Sequence, residues 1–309
     1  MATQRDPHRG SPMKDSLDIV TWNVQWFCGL DDQVSVERVL AHARTMADFD
    51  VLCLQEVAVN YPALTGNAGF DQVARVRALL APLGFKVLFG AAVDEQGRGG
   101  KRQQFGNLIA TRLPVAHVQR HMLPWPADGG VRSMPRICVS ATVLSPFGPL
   151  RVMTTHLEYY SKVQRMAQAH ALRELHVQAG GHASAPPLED ESGGPFQSKP
   201  HSGSAILCGD YNFETRDAEY AAVQAEVAAP ARRLVDVWRH VRPGVSHAPT
   251  FRLFDRRYGP EPIACDFFFV SEDLLPHVRR LEVDLQTRVS DHQPVWLQLE
   301  GGVSAPPFR

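Results

Sequence analysis

The apolar positions of this chain fall into short blocks separated by turn residues, and the blocks predict strands. Leu17, Ile19, Val20 and Trp22 open the series at 17–22. Further blocks follow at 51–54, 85–89, 107–110, 137–143, 150–155, 205–208, 267–270 and 295–299. They are four to seven residues long and rich in β-branched and aromatic side chains, as buried strands are. Helical spacing lies between some of them. Val36, Val39, Leu40, Ala43 and Ala47 share one helical face. The segment 71–80 repeats the pattern with Val73, Val76, Leu79 and Leu80. Ala167, Ala171 and Leu175 stack at four-residue steps in 163–177, and 217–227 is a fourth helical segment.

Helices separate only some of the strands. The blocks 137–143 and 150–155 are joined by Leu144-Ser145-Pro146-Phe147-Gly148-Pro149, a hairpin-like connection. Hairpins mixed with helical crossovers predict mixed sheets. About ten strands are most naturally packed as two sheets with helices outside. The expected class is therefore α/β (α+β), a four-layer sandwich of two packed mixed β-sheets flanked by helices. Residues 17–300 are expected to form one domain, between a disordered N-terminal tail (1–16) and a C-terminal tail (301–309). The stretch 180–203 is rich in Gly, Pro, Ser and His and reads as a flexible insertion in that domain.

Composition narrows the class of protein. The chain has 309 residues, 44% hydrophobic and 21% charged, which is ordinary for a globular protein. Its net charge of -1 argues against a general attraction to nucleic acid or anionic membranes. Charge is uneven, however. Seven arginines between 231 and 258 face only Asp236 and Asp255, and a solvated face and a phosphate-facing surface explain them equally well. The five cysteines have no CxxC spacing and mostly sit in or beside apolar runs, so they read as small buried hydrophobes in a reducing compartment. The first sixteen residues lack an apolar signal region, and no apolar run reaches the length of a membrane span. A cytoplasmic monomer without a membrane anchor is expected.

The candidate chemistry sits at block ends. Asn23 ends the first block, Glu56 follows the second, His156 ends another, and Asp210, Tyr211 and Asn212 follow 205–208. Ser290, Asp291 and His292 precede the last block. One such residue is usually only a turn. Five such sets point to a site at one rim of the sheets. Hydrolysing a phosphoester requires neutralising anionic oxygens, which a hard cation with oxygen ligands does. Glu56 is the leading ligand, and the absence of clustered Cys and His ligands favours Mg²⁺ (or Mn²⁺) over zinc. Asp210 and Asn212 offer a carboxylate base and an amide for an attacking water, and His292 a cationic donor for the phosphate.

These motifs, in this order, resemble the endonuclease/exonuclease/phosphatase superfamily. They are Thr-Trp-Asn (21–23), Leu-Gln-Glu (54–56), Gly-Asn (106–107), Thr-His-Leu (155–157), Gly-Asp-Tyr-Asn (209–212), Asp-Phe-Phe-Phe-Val-Ser (266–271) and Ser-Asp-His (290–292). The resemblance spans about Ile19 to Leu299 and implies a DNase I-like sandwich. It implies that Asn23 and Asp291 join Glu56 at the metal, that Asp266 pairs with His292, that His156 is a second histidine at the phosphate, and that Asn107 supports the site. The chain departs from the pattern in two places. Gln25 stands where many members carry an aspartate, and Ala264 where many carry an arginine.

Other phosphate contacts are weaker candidates. Arg136 reads equally as a phosphate contact and as a structural ion pair. Lys101 and Arg102 lie in a Gly-rich basic loop whose plainer reading is a solvated turn. Arg256 and Arg257 lie in an aromatic and basic stretch, 250–259, that is able to meet bases and phosphates. The leading function is a divalent-metal-dependent phosphodiester hydrolase, an endonuclease or exonuclease with DNA or RNA as its partner. The alternative is a phosphatase or phosphodiesterase for small phosphorylated metabolites, nucleotides, inositol phosphates or lipid head groups. An inactive binding module would be expected to have lost Glu56, Asp210 or His292, and all three are present.

Overall fold

Both sheets are organised around a parallel pair of strands, and each pair is joined by a helix. The computed structural model describes residues 15–66 and 68–301. The first sheet contains β1 (Ser16–Asn23), β2 (Val51–Tyr61), β3 (Ala68–Asp71), β4 (Lys86–Gln96) and β5 (Arg102–Thr111). The second contains β6 (Val115–Met122), β7 (Ile137–Ser145), β8 (Gly148–His156), β9 (Ala205–Asp210), β10 (Leu234–Asp236) and β11 (Asp266–Ser271). The chain then returns to the first sheet with β12 (Val278–Val283) and β13 (Val295–Glu300). Strand order is β12-β13-β1-β2-β5-β4 in one sheet, with β3 beside β2, and β10-β11-β9-β8-β7-β6 in the other.

The parallel pairs are β1–β2 and β8–β9. A parallel pair needs a long crossover. Helices α1 (Val36–Met46) and α3 (Lys162–Ser184) supply them and cover opposite outer faces. Both start at a serine cap: Ser35 Oγ accepts from Arg38 N at 3.2 Å, and Ser161 Oγ from Gln164 N at 3.1 Å. α2 (Gln72–Leu80) joins α1 on one face, and α4 (Ala218–Val223) joins α3 on the other. α5 (Val237–Val241) packs its Val237 and Trp238 into the core between the sheets.

Strand alternation builds the layers. Leu17, Ile19, Val51, Cys53 and Ile109 meet Val139, Val152, Ile206, Cys208 and Phe268 between the sheets. Val20, Trp22, Leu52 and Leu54 point outward to α1 and α2. Met153, Leu207, Phe267 and Phe269 point outward to α3 and α4. The expected two-sheet sandwich is present.

Several boundaries differ from the sequence-based expectation. β2 does not stop at Leu54 but continues through Glu56 to Tyr61. The loop between β7 and β8 is only Pro146 and Phe147, because Ser145 already pairs with Gly148. α3 runs on to Ser184, so the beginning of the expected insertion at 180 is helical. Ser16 belongs to β1. The expected tails otherwise lie outside the described residues, except for Asp15 and Gly301. All five cysteines are buried and free, and among the described residues no helix is long and apolar enough to cross a membrane.

Candidate active site

The site forms where both parallel pairs end together. His156 closes β8 opposite Asp210 of β9, and Asp266 opens β11 opposite that same Asp210. Asn23 closes β1 beside Gln55 of β2. Gly209 permits the close approach of β8 and β9. A Cβ at that position would lie 2.0 Å from Thr155 O, and its φ is +137°.

Glu56 arrives by a different route. Leu54 pairs with Leu108 and Val57 with Gly106, so Gln55 and Glu56 together oppose Asn107. This is a β-bulge, with Glu56 at φ 60°. Outward-packed residues shift from Leu52 and Leu54 to Val57 and Val59, and Glu56 is the extra residue. Its carboxylate is thereby released from the alternation and lines the cleft. Gln55 stays between the sheets, where its Nε2 donates to Thr21 Oγ1 at 3.1 Å and Thr154 Oγ1 at 2.8 Å.

Asp210 is the centre of the cluster. Its Oδ1 accepts from Asn212 N at 3.0 Å and its Oδ2 from Asn23 Nδ2 at 2.9 Å. His156 Nε2 lies 3.4 Å and His292 Nε2 3.6 Å from the same Oδ2. Asn23 Nδ2 also donates to Glu56 Oε1 at 3.0 Å, while Asn23 Oδ1 accepts from Gln25 N at 3.1 Å. Asn23 thus bridges two carboxylates through its nitrogen instead of presenting its oxygen, as a metal ligand would. Gln25 holds Asn23 in place through its backbone. Ser290 Oγ donates to Asn23 O at 2.8 Å and lies 3.3 Å from Asp291 Oδ1, which ties the last motif to the first.

The two histidines are tuned in opposite directions. Burial lowers His156 to about 3, helped by the charge of Arg136, so it is neutral. Asn212 Nδ2 lies 3.0 Å from His156 Nε2, which accepts from it. Burial also disfavours a charge on His292, but Asp266, Asp210 and Asp291 outweigh it and raise the imidazole to about 10. His292 Nδ1 donates to Asp266 Oδ2 at 2.9 Å, and Trp22 Nε1 donates to His292 O at 2.9 Å. Phe251 lies flat against the ring, 4.3 Å between centroids. His292 is therefore a held imidazolium with Nε2 turned toward Asp210.

The donor set suits a hard divalent cation. Burial and then the charge of Asp291 raise Glu56 to about 7, and burial raises Asp291 as well. A cation between these acids would relieve both penalties. Asp210, Cys265, Asp266 and His292 also lie close enough together to hold an ion. The Cys265 thiol, pushed well up by burial and then by Asp266, donates to Asp266 Oδ2 at 3.5 Å. That group is better described as a hydrogen-bond relay.

The remaining candidates divide sharply. Arg136 lines the cleft; its Nε donates to Glu158 Oε2 at 3.2 Å, while its buried Nη1 has no partner. Asn107 lies one layer below the cleft beside Arg136 and His156, and its Nδ2 donates to Ile137 O at 2.9 Å across the sheets. Lys101 and Arg102 sit at the exposed β4–β5 hairpin, with Arg102 paired to Asp94 at 2.6 Å, away from the cleft lining. Arg257 pairs with Asp255 at 2.7 Å and Arg256 donates to Pro260 O at 2.5 Å, so both hold their own loop. Two of the three aromatic residues of that stretch, Phe251 and Tyr258, face the cleft. Sequence reasoning missed Tyr159, Tyr160, Trp26 and Trp125, because nothing local separates them from core aromatics, and it gave Gln55 no role of its own within the Leu-Gln-Glu motif.

A fold of two such sheets with this rim of acids, amides and histidines defines a phosphoesterase class. The sequence model of the endonuclease/exonuclease/phosphatase family matches residues 20–292, and the chain belongs to that family. All three activities in the family's name hydrolyse phosphoesters. No curated protein matches the chain by sequence. An endonuclease/exonuclease/phosphatase from Beutenbergia cavernae is 25% identical with a TM-score of 0.63, the match covering 94% of this chain and 73% of that one. The mannosyl-6-phosphatase of Bacteroides thetaiotaomicron is 19% identical with a TM-score of 0.59, over 91% and 98% of the two chains. D. rerio TDP2 complexed with a single-strand DNA product is 19% identical with a TM-score of 0.58, over 93% and 100%. The last two likenesses show the fold alone.

Proposed function

We propose that the protein is a divalent-metal-dependent phosphodiester hydrolase acting on nucleic acid. The observation that carries this reading is Asp210 Oδ2, which lies within 3.6 Å of Asn23 Nδ2, His156 Nε2 and His292 Nε2 while Glu56 stands one hydrogen bond away through Asn23. Asp210 takes the proton of the attacking water. Asn212 fixes that carboxylate through its backbone N–H and holds His156 through its amide. His292, kept cationic by Asp266, donates from Nε2 to the phosphate oxygen where charge develops. The unpartnered Nη1 of Arg136 is a second donor to the phosphate. Glu56 and Asp291 would hold Mg²⁺ (or Mn²⁺), which supplies charge neutralisation when bound. Five buried thiols fit a cytoplasmic setting, and we propose a monomer there.

A second reading, phosphatase action on a small phosphorylated metabolite, is favoured by the modest cleft of about 620 Å³, a size that suits a small molecule. One panel separates the two. Single- and double-stranded DNA, RNA, a nitrophenyl diester and sugar phosphates are assayed with Mg²⁺, Mn²⁺ or EDTA. The proposal expects diester cleavage that EDTA and Glu56→Gln abolish. Turnover of monoesters alone favours the second reading, and activity indifferent to EDTA overturns the metal requirement.

A further inference from the structure

The cleft that reaches Asp210 is walled more by rings than by cations. A ladder of ring contacts starts on His292 and climbs to the rim. Phe251 stacks on His292, Tyr258 lies 5.9 Å from Phe251, Tyr159 lies 6.3 Å from Tyr258, and Tyr160 lies 4.8 Å from Tyr159. The guanidinium of Arg132 ends the ladder 5.8 Å from the centre of the Tyr160 ring. Tyr160 and Tyr258 are 47% and 44% exposed, so their rings remain open to a ligand. Trp26, Tyr61 and Phe105 line the same cleft.

Cations are sparse by comparison. Among the described residues, Arg132 and Arg136 are the arginines in the lining, and no lysine belongs to it. Arg136 is tied to Glu158 through Nε, which leaves Nη1 as its unpartnered donor. A duplex needs many such contacts, since it carries one charge per roughly 1.7 Å of axis. Two arginines do not make that track. Rings and a guanidinium do suit a flat, uncharged π-face, which stacks on tyrosine and on arginine alike.

We infer that the Phe251–Tyr258–Tyr159–Tyr160 ladder with Arg132 is a subsite for an unpaired nucleobase joined to the phosphate held at the Asp210 cluster. The inference rests on the proposed phosphoester chemistry and narrows its substrate to a free nucleotide or a single-strand end.

Calorimetric binding to the full chain tests it without requiring turnover. The probes are adenosine 5′-monophosphate, ribose 5-phosphate, a 5′-phosphorylated thymidine tetramer and a short duplex. The expected result is a nucleotide affinity about 5- to 150-fold above that of ribose 5-phosphate, the range of one stacked base. Tyr160→Ala combined with Tyr258→Ala closes that gap, while Tyr160→Phe keeps it. Arg132→Met is a second variant, on an exposed side chain outside the core, and narrows the gap. A tetramer binding more tightly than the nucleotide assigns the base to a strand end, and equal affinities assign it to a free nucleotide. Equal affinity for nucleotide and ribose 5-phosphate overturns the inference. So does the double variant weakening both ligands by the same factor, or the duplex binding best of all. If no ester is hydrolysed under any metal, the proposed reaction fails while this binding difference stands.

Discussion

Gln55 of β2 donates from Nε2 to Thr154 Oγ1 of β8 at 2.8 Å, a bond that joins the two sheets one residue before the bulge at Glu56. The side chain is fully buried and also donates to Thr21 Oγ1. Gln55→Ala removes both bonds and opens a cavity between the sheets, at a cost of about 2–4 kcal/mol. Urea unfolding measures this. A loss within about 0.5 kcal/mol of wild type would mean that the bridge contributes little.

The close pairing of β8 and β9 makes Gly209 intolerant of a side chain. A Cβ would sit 2.0 Å from a backbone oxygen that cannot swing away. Gly209→Ala is expected to lose more than about 3 kcal/mol, since strained backbone and steric conflict act together. In a thermal melt this lowers the midpoint by at least about 5 °C. An unchanged melting curve would show that β9 can shift away from Thr155 without penalty.

His292 is an imidazolium because Asp266 faces its Nδ1. Its pKa is raised, so the cation persists as pH climbs and is lost only near about 10. Asp266→Asn keeps the shape but removes the charge. The alkaline limb of kcat/KM against pH is expected to move down by at least one pH unit, with a loss of about 10²–10³ in rate at neutral pH. A limb that does not move would assign the alkaline limb to another group.

His176 lies far from the cleft but answers to pH. It sits buried beside Arg151, with Nδ1 2.7 Å from that guanidinium and Nε2 donating to Arg232 O. Burial and then Arg151 lower it to about 4. Between pH 6.5 and 4 the unfolded chain therefore binds a proton that the native state refuses, so stability falls as pH falls through this window. From pH 7 to 5 the loss attributable to His176 is about 2 kcal/mol. His176→Gln, which keeps an acceptor and a donor, should flatten the pH dependence of the unfolding free energy from urea titration by that amount. An equally steep dependence in the variant would place the acid sensitivity elsewhere.

The chain's own pattern determined the strand-rich sandwich, the helical faces of α1 to α3, and the set of polar residues at strand ends. Those depend on local alternation and on residue type, both of which are written along the chain. The strands it hid, β3, β6, β10 and β12, all lie at sheet edges or off the main path. An edge strand such as β12 carries Arg279, Arg280 and Glu282 on a face open to water, so its apolar signal is weak. Tertiary structure alone decided the rest. The bulge that turns Glu56 into the cleft comes from pairing with β5, which no local pattern in β2 announces. Arg256 and Arg257 folded back onto carboxylate and carbonyl oxygens of their own loop, while Phe251 came to rest on His292, 41 positions further along the chain. Residue identity limits what a side chain can do, but the distance between two side chains is set by which strands pair. The cluster around Asp210 exists only because the ends of two parallel pairs, one in each sheet, meet at the same rim.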